Sequence, residues 1–453
     1  MKTSARNLCE TLDAKLVAGS ESAEVTSVFT DTRKAEKGGL FVALKGENFN
    51  GDDFASQALE AGASIALVSK WQGGPVDGAK AVIEVPETLM ALQRLAHWWR
   101  SQLDIPVICI TGSNGKTSTK DFATAVLAQK FSVNATQGNL NNHIGLPLSV
   151  LATSEAHTAA VFEIGMNHSG ELSPLCEIAR PQYGIITNIG TAHIEFLGSR
   201  EAIAEEKGTL ARYLPETGVL FTPAGCDFNE YFRARTQAKI VFVGNGRGVV
   251  RAENPRPDDN GTLIDLVIEG EEPVEVFIPV LGKHMITNAL LAAALGWKMG
   301  LTPQEIAKGL SSVQLTAGRM RRINWDGITL LDDTYNANPE SMAAALETLS
   351  DMPVSEGSKK IAVLGKMGEL GALSTEAHRE IGKLAASRGL QLIAVGEGAG
   401  EIVHDSSSPH FSDIHEAADW LLANARSGDV ILFKGSRTAA IENVLKTAFP
   451  TAC

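Results

Sequence analysis

The sequence predicts an α/β protein of three domains. Short apolar strands alternate with helical segments along most of the chain, the pattern of parallel sheets covered by helices. At about 150 residues per domain, 453 residues supply about three cores. The pattern also restarts twice, near Pro86 and near Thr316. The expected units are a small N-terminal α/β domain over 1–86, a central parallel-sheet domain over 87–315 and a Rossmann-like C-terminal domain over 316–453.

In the first unit, Phe41–Leu44 and Ile65–Val68 read as strands, with a helix over Asp53–Gly62 that ends at its glycine. Pro86 opens a long helix, Glu87–Leu103, with Leu89, Leu92, Leu95, Ala96 and Trp99 on one face. Further strands are expected at Val107–Ile110, Ala160–Ile164, Gly184–Thr187, Val219–Phe221 and Ile240–Val243. Leu263–Ile268 and Val274–Ile278 alternate around Glu269–Pro273, which predicts an antiparallel hairpin. Gly282–Met299 is an Ala/Leu-rich helix. In the third unit, strands at Ile328–Leu331, Ile361–Leu364, Leu392–Val395 and Val430–Phe433 are each followed by a helix, the last over Thr438–Phe449.

The formal charge of −13 repels phosphate backbones and argues against non-specific nucleic-acid binding. No run of eighteen apolar residues is present, so no membrane span is expected. The start lacks the apolar stretch of a secretory signal. Cys9, Cys109, Cys176, Cys226 and Cys453 are scattered, odd in number and without metal-ligand spacing. Reduced thiols and a cytoplasmic location follow as expectations.

The sharpest motif is Thr111-Gly112-Ser113-Asn114-Gly115-Lys116-Thr117-Ser118, between an apolar strand and a helix. That context is what a phosphate-binding loop requires. Gly112 and Gly115 let backbone N–H groups converge on phosphate oxygens, and the helix N-terminus adds its positive end. Lys116 would reach the β- and γ-phosphates, and the Thr117 hydroxyl would ligate Mg²⁺. Ile110 stands where the longer form of the motif has glycine, so the loop is a short variant. The competing reading is a plain glycine-rich turn.

Glu163 ends an apolar strand, where a carboxylate is costly unless paired or bound to a cation. His193 lies just past the next strand end, at the edge where parallel sheets bind ligands. By chemistry alone, Lys207 in Ala204-Glu205-Glu206-Lys207-Gly208 reads as an exposed helical lysine, with a CO₂-derived carbamate as the alternative. Asn141, Asn142 and His143 form a polar loop that could serve as turn caps.

Taken in order, these segments resemble the Mur ligases, the ATP-dependent amide-forming enzymes of peptidoglycan synthesis. The resemblance also rests on Gly138-Asn139-Leu140-Asn141-Asn142-His143, Glu163-Ile164-Gly165-Met166-Asn167, Asn188-Ile189-Gly190-Thr191-Ala192-His193 and Gly282–Asn288. Asp332-Asp333-Thr334-Tyr335-Asn336-Ala337-Asn338-Pro339 and Lys434-Gly435-Ser436-Arg437 complete it, and it covers essentially the whole chain.

The resemblance implies a UDP-binding first domain, an ATP-binding central domain and a third domain that closes over the site. It implies that Gly112, Ser113, Asn114, Gly115, Lys116, Thr117, Ser118, Asn288, Arg319, Asp333 and Asn336 contact ATP. Thr117, Glu163, His193 and a carbamate on Lys207 would serve Mg²⁺, with two sites expected. Lys116, His193 and Lys207 become the catalytic candidates. Thr30, Asp31, Thr32, Arg33, Gly46 and Asn50 would face the uridine and diphosphate, and Asn139, Asn141, Asn142 and His143 the muramyl peptide. The expected substrates are UDP-MurNAc-tripeptide and D-Ala-D-Ala, joined by a monomer through an acyl phosphate. The alternatives are a sister ligase that adds one amino acid, a folylpolyglutamate-type ligase, a nucleotide switch and a kinase. Two segments depart from the family pattern: Asn50-Gly51-Asp52-Asp53-Phe54, and the loop holding Lys366.

Overall fold

Three main β-sheets organise the chain, each grown from the apolar runs of its own stretch. The computed structural model describes residues 1–453 except 245, 247, 259 and 451–453. The first sheet has the order Lys15–Gly19, Ala81–Glu84, Ile65–Val68, Leu40–Val42, Val28–Phe29, antiparallel in its first pair and parallel in the rest. The expected helix over Asp53–Gly62 is shorter, Ala55–Glu60. Gly51–Phe54 forms a 3₁₀ turn instead, capped by the Asn50 side chain. Asp52 is drawn into that turn because its carboxylate accepts from the backbone N–H of Ser69 (2.9 Å) and Lys70 (3.1 Å).

The helix Thr88–Ser101 joins this lobe to the centre. Its apolar face, Ala91, Leu92, Leu95, Ala96 and Trp99, lies in one continuous core with Leu8 and Ile65 on one side and Cys109 and Phe162 on the other. Buried Arg100 is satisfied by carbonyls, donating to Ala179 O (2.8 Å) and Leu103 O (2.7 Å).

The central sheet has nine strands. Its order is Val274–Ile278, Gly261–Ile268, Val250–Asp258, Lys239–Val243, Val219–Pro223, Tyr183–Ile186, Val107–Thr111, Ala159–Glu163, Val133–Ala135. The period-2 alternation explains its two cores: Val107 and Cys109 face the first lobe's core, while Ile108 and Ile110 pack with Phe122, Val126 and Leu291 on the other side. The expected hairpin is present and antiparallel. It is extended by Val250–Asp258, which sequence patterning missed because Glu253–Asp258 is polar and exposed. The sheet is therefore mixed at this edge. Phe122 is fully buried, and Phe122→Ala is expected to lower stability by about 3–5 kcal/mol, read from the urea midpoint.

The third sheet runs Arg321–Trp325, Ile328–Asp333, Val430–Lys434, Lys360–Leu364, Gln391–Val395, His410–Phe411, antiparallel in the first pair and parallel elsewhere. Its connection to the centre is fixed where Thr316 N donates to Asp121 (2.8 Å), itself paired with Lys120 (2.9 Å). The expected last helix starts later, Glu442–Ala448, because Arg437–Ala439 is a 3₁₀ turn and Ala440 takes φ +50°. Among the described residues Cys9, Cys109, Cys176 and Cys226 are free thiols, and Cys453 lies outside them. No described helix is long and apolar enough to cross a membrane.

Candidate active site

The strand Val107–Thr111 is flanked by Ala159–Glu163 on one side and Tyr183–Ile186 on the other, both parallel to it. The chain leaves this strand for the edge strand Val133–Ala135, returns to the neighbour Ala159–Glu163 and then crosses to Tyr183–Ile186, so a crevice opens at the C-terminal ends. Gly112–Gly115 turns there into the helix Lys116–Leu127. Glycine is required at both ends of the turn. Gly112 has φ +149° and a Cβ there would lie 1.8 Å from Thr187 Oγ1; Gly115 has φ +80° and its Cβ would lie 2.6 Å from Asn288 Oδ1. The turn is tied to the next strand end: Ser113 N donates to Asn188 O (3.1 Å), Asn114 N to Asn188 Oδ1 (2.9 Å) and Gly190 N to Ser113 Oγ (2.8 Å).

Lys116 extends along this loop and donates to Gly112 O (2.9 Å). Desolvation pushes its ammonium below the usual lysine range, Glu163 opposing the shift and Arg319 adding to it. Glu163 is 3% exposed, and its oxygens accept from Thr117 Oγ1 (2.9 Å) and Asn141 Nδ2 (2.8 Å). Arg319 Nη2 also donates to Thr117 Oγ1 (3.2 Å), with its guanidinium 4.0 Å from the Tyr335 ring centroid.

These groups line a cavity of about 590 Å³ between the central and C-terminal lobes. Of the expected site residues, Ser113–Ser118, Asn141, Asn142, His143, Glu163, His193, Asn288, Arg319, Asp333 and Asn336 all line it. Gly112 and Asn139 do not line it. Asp333 is held from both sides: Met320 N donates to Oδ1 (3.1 Å) and buried Lys434 to Oδ2 (2.5 Å).

His193 sits at φ +68°. Its Nδ1 lies 2.6 Å from Glu369 Oε2. That contact holds the Glu369 carboxyl below its usual range.

Lys207 corrects the bland expectation of an exposed lysine. It is 1% exposed, behind the cavity rather than lining it. Burial drives its amine well below the usual lysine range, with Lys116 adding to the shift. Its neighbour Glu206 is buried for a separate reason, accepting from the N–H groups of Gly170 and Leu172 (both 2.8 Å) at the start of a helix.

The remaining expected residues stand apart, in the first lobe. Asp31 caps the turn Thr32–Lys34 and pairs with Arg33 at 2.8 Å, a hydrogen-bonded contact that holds the Asp31 carboxyl at about 2. Thr30–Arg33 and Gly46–Asn50 follow the C-terminal ends of two adjacent parallel strands. Exposed Phe49 of the second loop and Phe54 just after it lie 6.4 Å apart.

As to a divalent cation, no cluster of three His, Cys, Asp or Glu side chains suited to a metal occurs among the described residues. A lone carboxylate beside a threonine hydroxyl fits Mg²⁺, which keeps waters and takes oxygens from a phosphate substrate.

Three family models match the chain: the Mur ligase family catalytic domain over 24–100, the Mur ligase middle domain over 110–296 and the Mur ligase glutamate ligase domain over 318–437. The chain belongs to the Mur ligase family. The resemblance read from the motifs is thereby confirmed. This Mur ligase is similar to the UDP-N-acetylmuramoyl-tripeptide--D-alanyl-D-alanine ligase of Bacillus subtilis (strain 168), with 39% identity over 98% of each chain. The structure of MurF from Acinetobacter baumannii superposes with a TM-score of 0.89 at 31% identity, covering 99% of both chains. MurF of Thermotoga maritima in complex with ADP superposes at 0.83 with 28% identity, covering 94% of this chain and 97% of that one.

Sequence reasoning singled out neither Glu340 nor Glu369 of this Mur ligase, and cited Lys434, His284 and Asn338 only as parts of longer segments. His284 lines the cavity, where burial lowers its pKa. Asn338 caps its helix and donates to Asn114 Oδ1 (2.7 Å), linking the two lobes. The Asn338-Pro339 step was a readable helix start; its partner across the cavity was not.

Proposed function

We propose that this chain joins D-Ala-D-Ala to UDP-MurNAc-tripeptide at the expense of ATP, giving the pentapeptide, ADP and phosphate. The observation that carries this is the cavity itself: a phosphate loop with Lys116 and Arg319 on one wall, and the Asn141–His143 loop beside it. A triphosphate and a carboxylate can meet there. The tripeptide carboxylate attacks the γ-phosphorus, and ADP leaves. The dipeptide amine then adds to the carbonyl carbon, and the tetrahedral adduct expels phosphate with loss of the amine proton. Phosphorylation supplies the leaving group that a free carboxylate lacks.

Lys116, Arg319 and the loop N–H groups stabilise charge on the transferring phosphoryl group. Glu163 and Asn141 hold the Thr117 side of the cavity. Mg²⁺, held through Thr117, Glu163, His193 and a carbamate on Lys207 at two sites, supplies further charge neutralisation when bound. Asp333, Asn336 and Asn288 face the nucleotide. The first lobe's Thr30–Arg33, Gly46 and Asn50 loops take the UDP end, and the docked lobes exclude water from the acyl phosphate. Domain limits of 1–86, 87–315 and 316–453 fit this division, and the proposed working unit is a monomer. The proposed location is the cytoplasm.

The 39% identity to a D-alanyl-D-alanine ligase favours the dipeptide over a single amino acid. A competition assay offering D-Ala-D-Ala and single amino acids tests this: the dipeptide product should dominate, and preferential addition of one amino acid would overturn the assignment. Gly112→Ala and Gly115→Ala are expected to raise the KM for ATP by about tenfold or more, since each strained position costs about 1–3 kcal/mol. Steady-state kinetics with a thermal melt as control checks it.

A further inference from the structure

The first turn of the helix Pro339–Asp351 does more than begin a helix. It reaches from the C-terminal lobe across the cavity mouth. Glu340 Oε1 accepts from Thr191 N (2.8 Å), and Oε2 accepts from Thr191 Oγ1 (3.0 Å). The approach depends on the bare backbone at Gly190, where a Cβ would lie 2.9 Å from the Glu340 carboxyl carbon. One residue earlier in the chain direction of the site, Gly190 N binds Ser113 Oγ, and Asn188 binds the backbone of both Ser113 and Asn114. Two residues later stands His193. From the same helix start, Asn338 reaches Asn114 directly (2.7 Å).

The contacts thus close a ring. The phosphate loop is bonded to the Asn188–Thr191 loop, that loop to Glu340, and the Glu340 helix start back to the phosphate loop. We propose that Glu340 is a positioning residue for phosphoryl transfer: its carboxylate clamps Thr191 and thereby fixes the phosphate loop and the His193 segment against the docked C-terminal lobe. This rests on the function proposed above. Glu340 lines the cavity with its carboxylate turned to Thr191, so it acts through the loop it holds. Both of its oxygens are taken by Thr191, which is the arrangement of a clamp rather than of a free surface charge.

The test compares Glu340→Ala, Glu340→Gln and Thr191→Ala in the full chain. Glutamine keeps the clamp, its carbonyl accepting from Thr191 N and its amide donating to Thr191 Oγ1. Glu340→Ala is expected to lower kcat/KM for ATP about fivefold, the effect of one solvent-accessible hydrogen-bonded contact, with an unchanged melting temperature. Glu340→Gln should stay within about twofold of the parent, and Thr191→Ala should have a smaller effect that vanishes in the Glu340→Ala background. The KM for D-Ala-D-Ala should not move. Small-angle scattering of the ligand-free chain should show Glu340→Ala more extended than the parent and Glu340→Gln. An alanine variant that matches the parent in kinetics and compactness overturns the proposal, as does a glutamine variant as impaired as alanine. If the parent itself forms no amide, the functional reading fails, and the scattering comparison still decides the clamp.

Discussion

Lys116→Ala is expected to lower kcat by at least about 10²-fold while the protein folds normally, because it removes a cation aimed at charge that develops during phosphoryl transfer. The two halves of this expectation have separate physical grounds. Among the described residues the Lys116 side chain makes one hydrogen bond, to Gly112 O within its own loop, so little of the fold depends on it. Desolvation lowers its pKa, which means the folded chain holds the charge there at a cost. An anionic ligand beside the ammonium would offset that cost. Turnover measured by phosphate release, beside a thermal melt, checks both halves. Near-normal phosphate release would remove Lys116 from the phosphate site.

Lys207→Ala is the second large expected effect: loss of activity by at least about 10²-fold, with several-fold recovery in the presence of acetate or another short-chain carboxylate. Among the described residues no ion pair is formed by the buried amine, and its pKa is driven down by burial first and by Lys116 second, with Glu206 opposing. A lowered pKa enlarges the neutral fraction, and the neutral amine is the form that adds CO₂. The product carbamate turns a costly buried cation into an anionic oxygen donor next to the cationic Lys116. Alanine removes that donor and leaves a hole beside it, which a small carboxylate can enter. Unchanged activity in Lys207→Ala would dispose of the carbamate. Loss of activity with a collapsed melting temperature and no rescue would assign Lys207 to packing.

The legible parts of this protein were those set by local pattern. The runs 65–68 and 430–433 are apolar throughout and buried on both faces, and they stood out for that reason. The phosphate loop was readable because strand, glycines and helix coincide within a few residues. Val250–Asp258 was illegible because its outer half alternates nothing apolar. Lys207 was legible only through the family likeness, since its helix carries Glu205, Glu206 and Lys207 in succession and looks solvated. Its burial comes from the tertiary fold, which no local window contains. Glu340 and Glu369 were missed for a related reason. Their partners, Thr191 and His193, lie 149 residues or more away in the chain and meet them only when two lobes dock.

The central claim is that ATP is spent to activate a carboxylate for amide formation. The most direct measurement supplies UDP-MurNAc-tripeptide labelled with ¹⁸O in its terminal carboxylate, together with ATP and D-Ala-D-Ala, and reads the products by mass spectrometry. The expected result is one amide linkage per ADP formed, with one labelled oxygen carried into the released phosphate. ATP consumption that does not depend on the dipeptide and tripeptide, or phosphate released without the label, would contradict it.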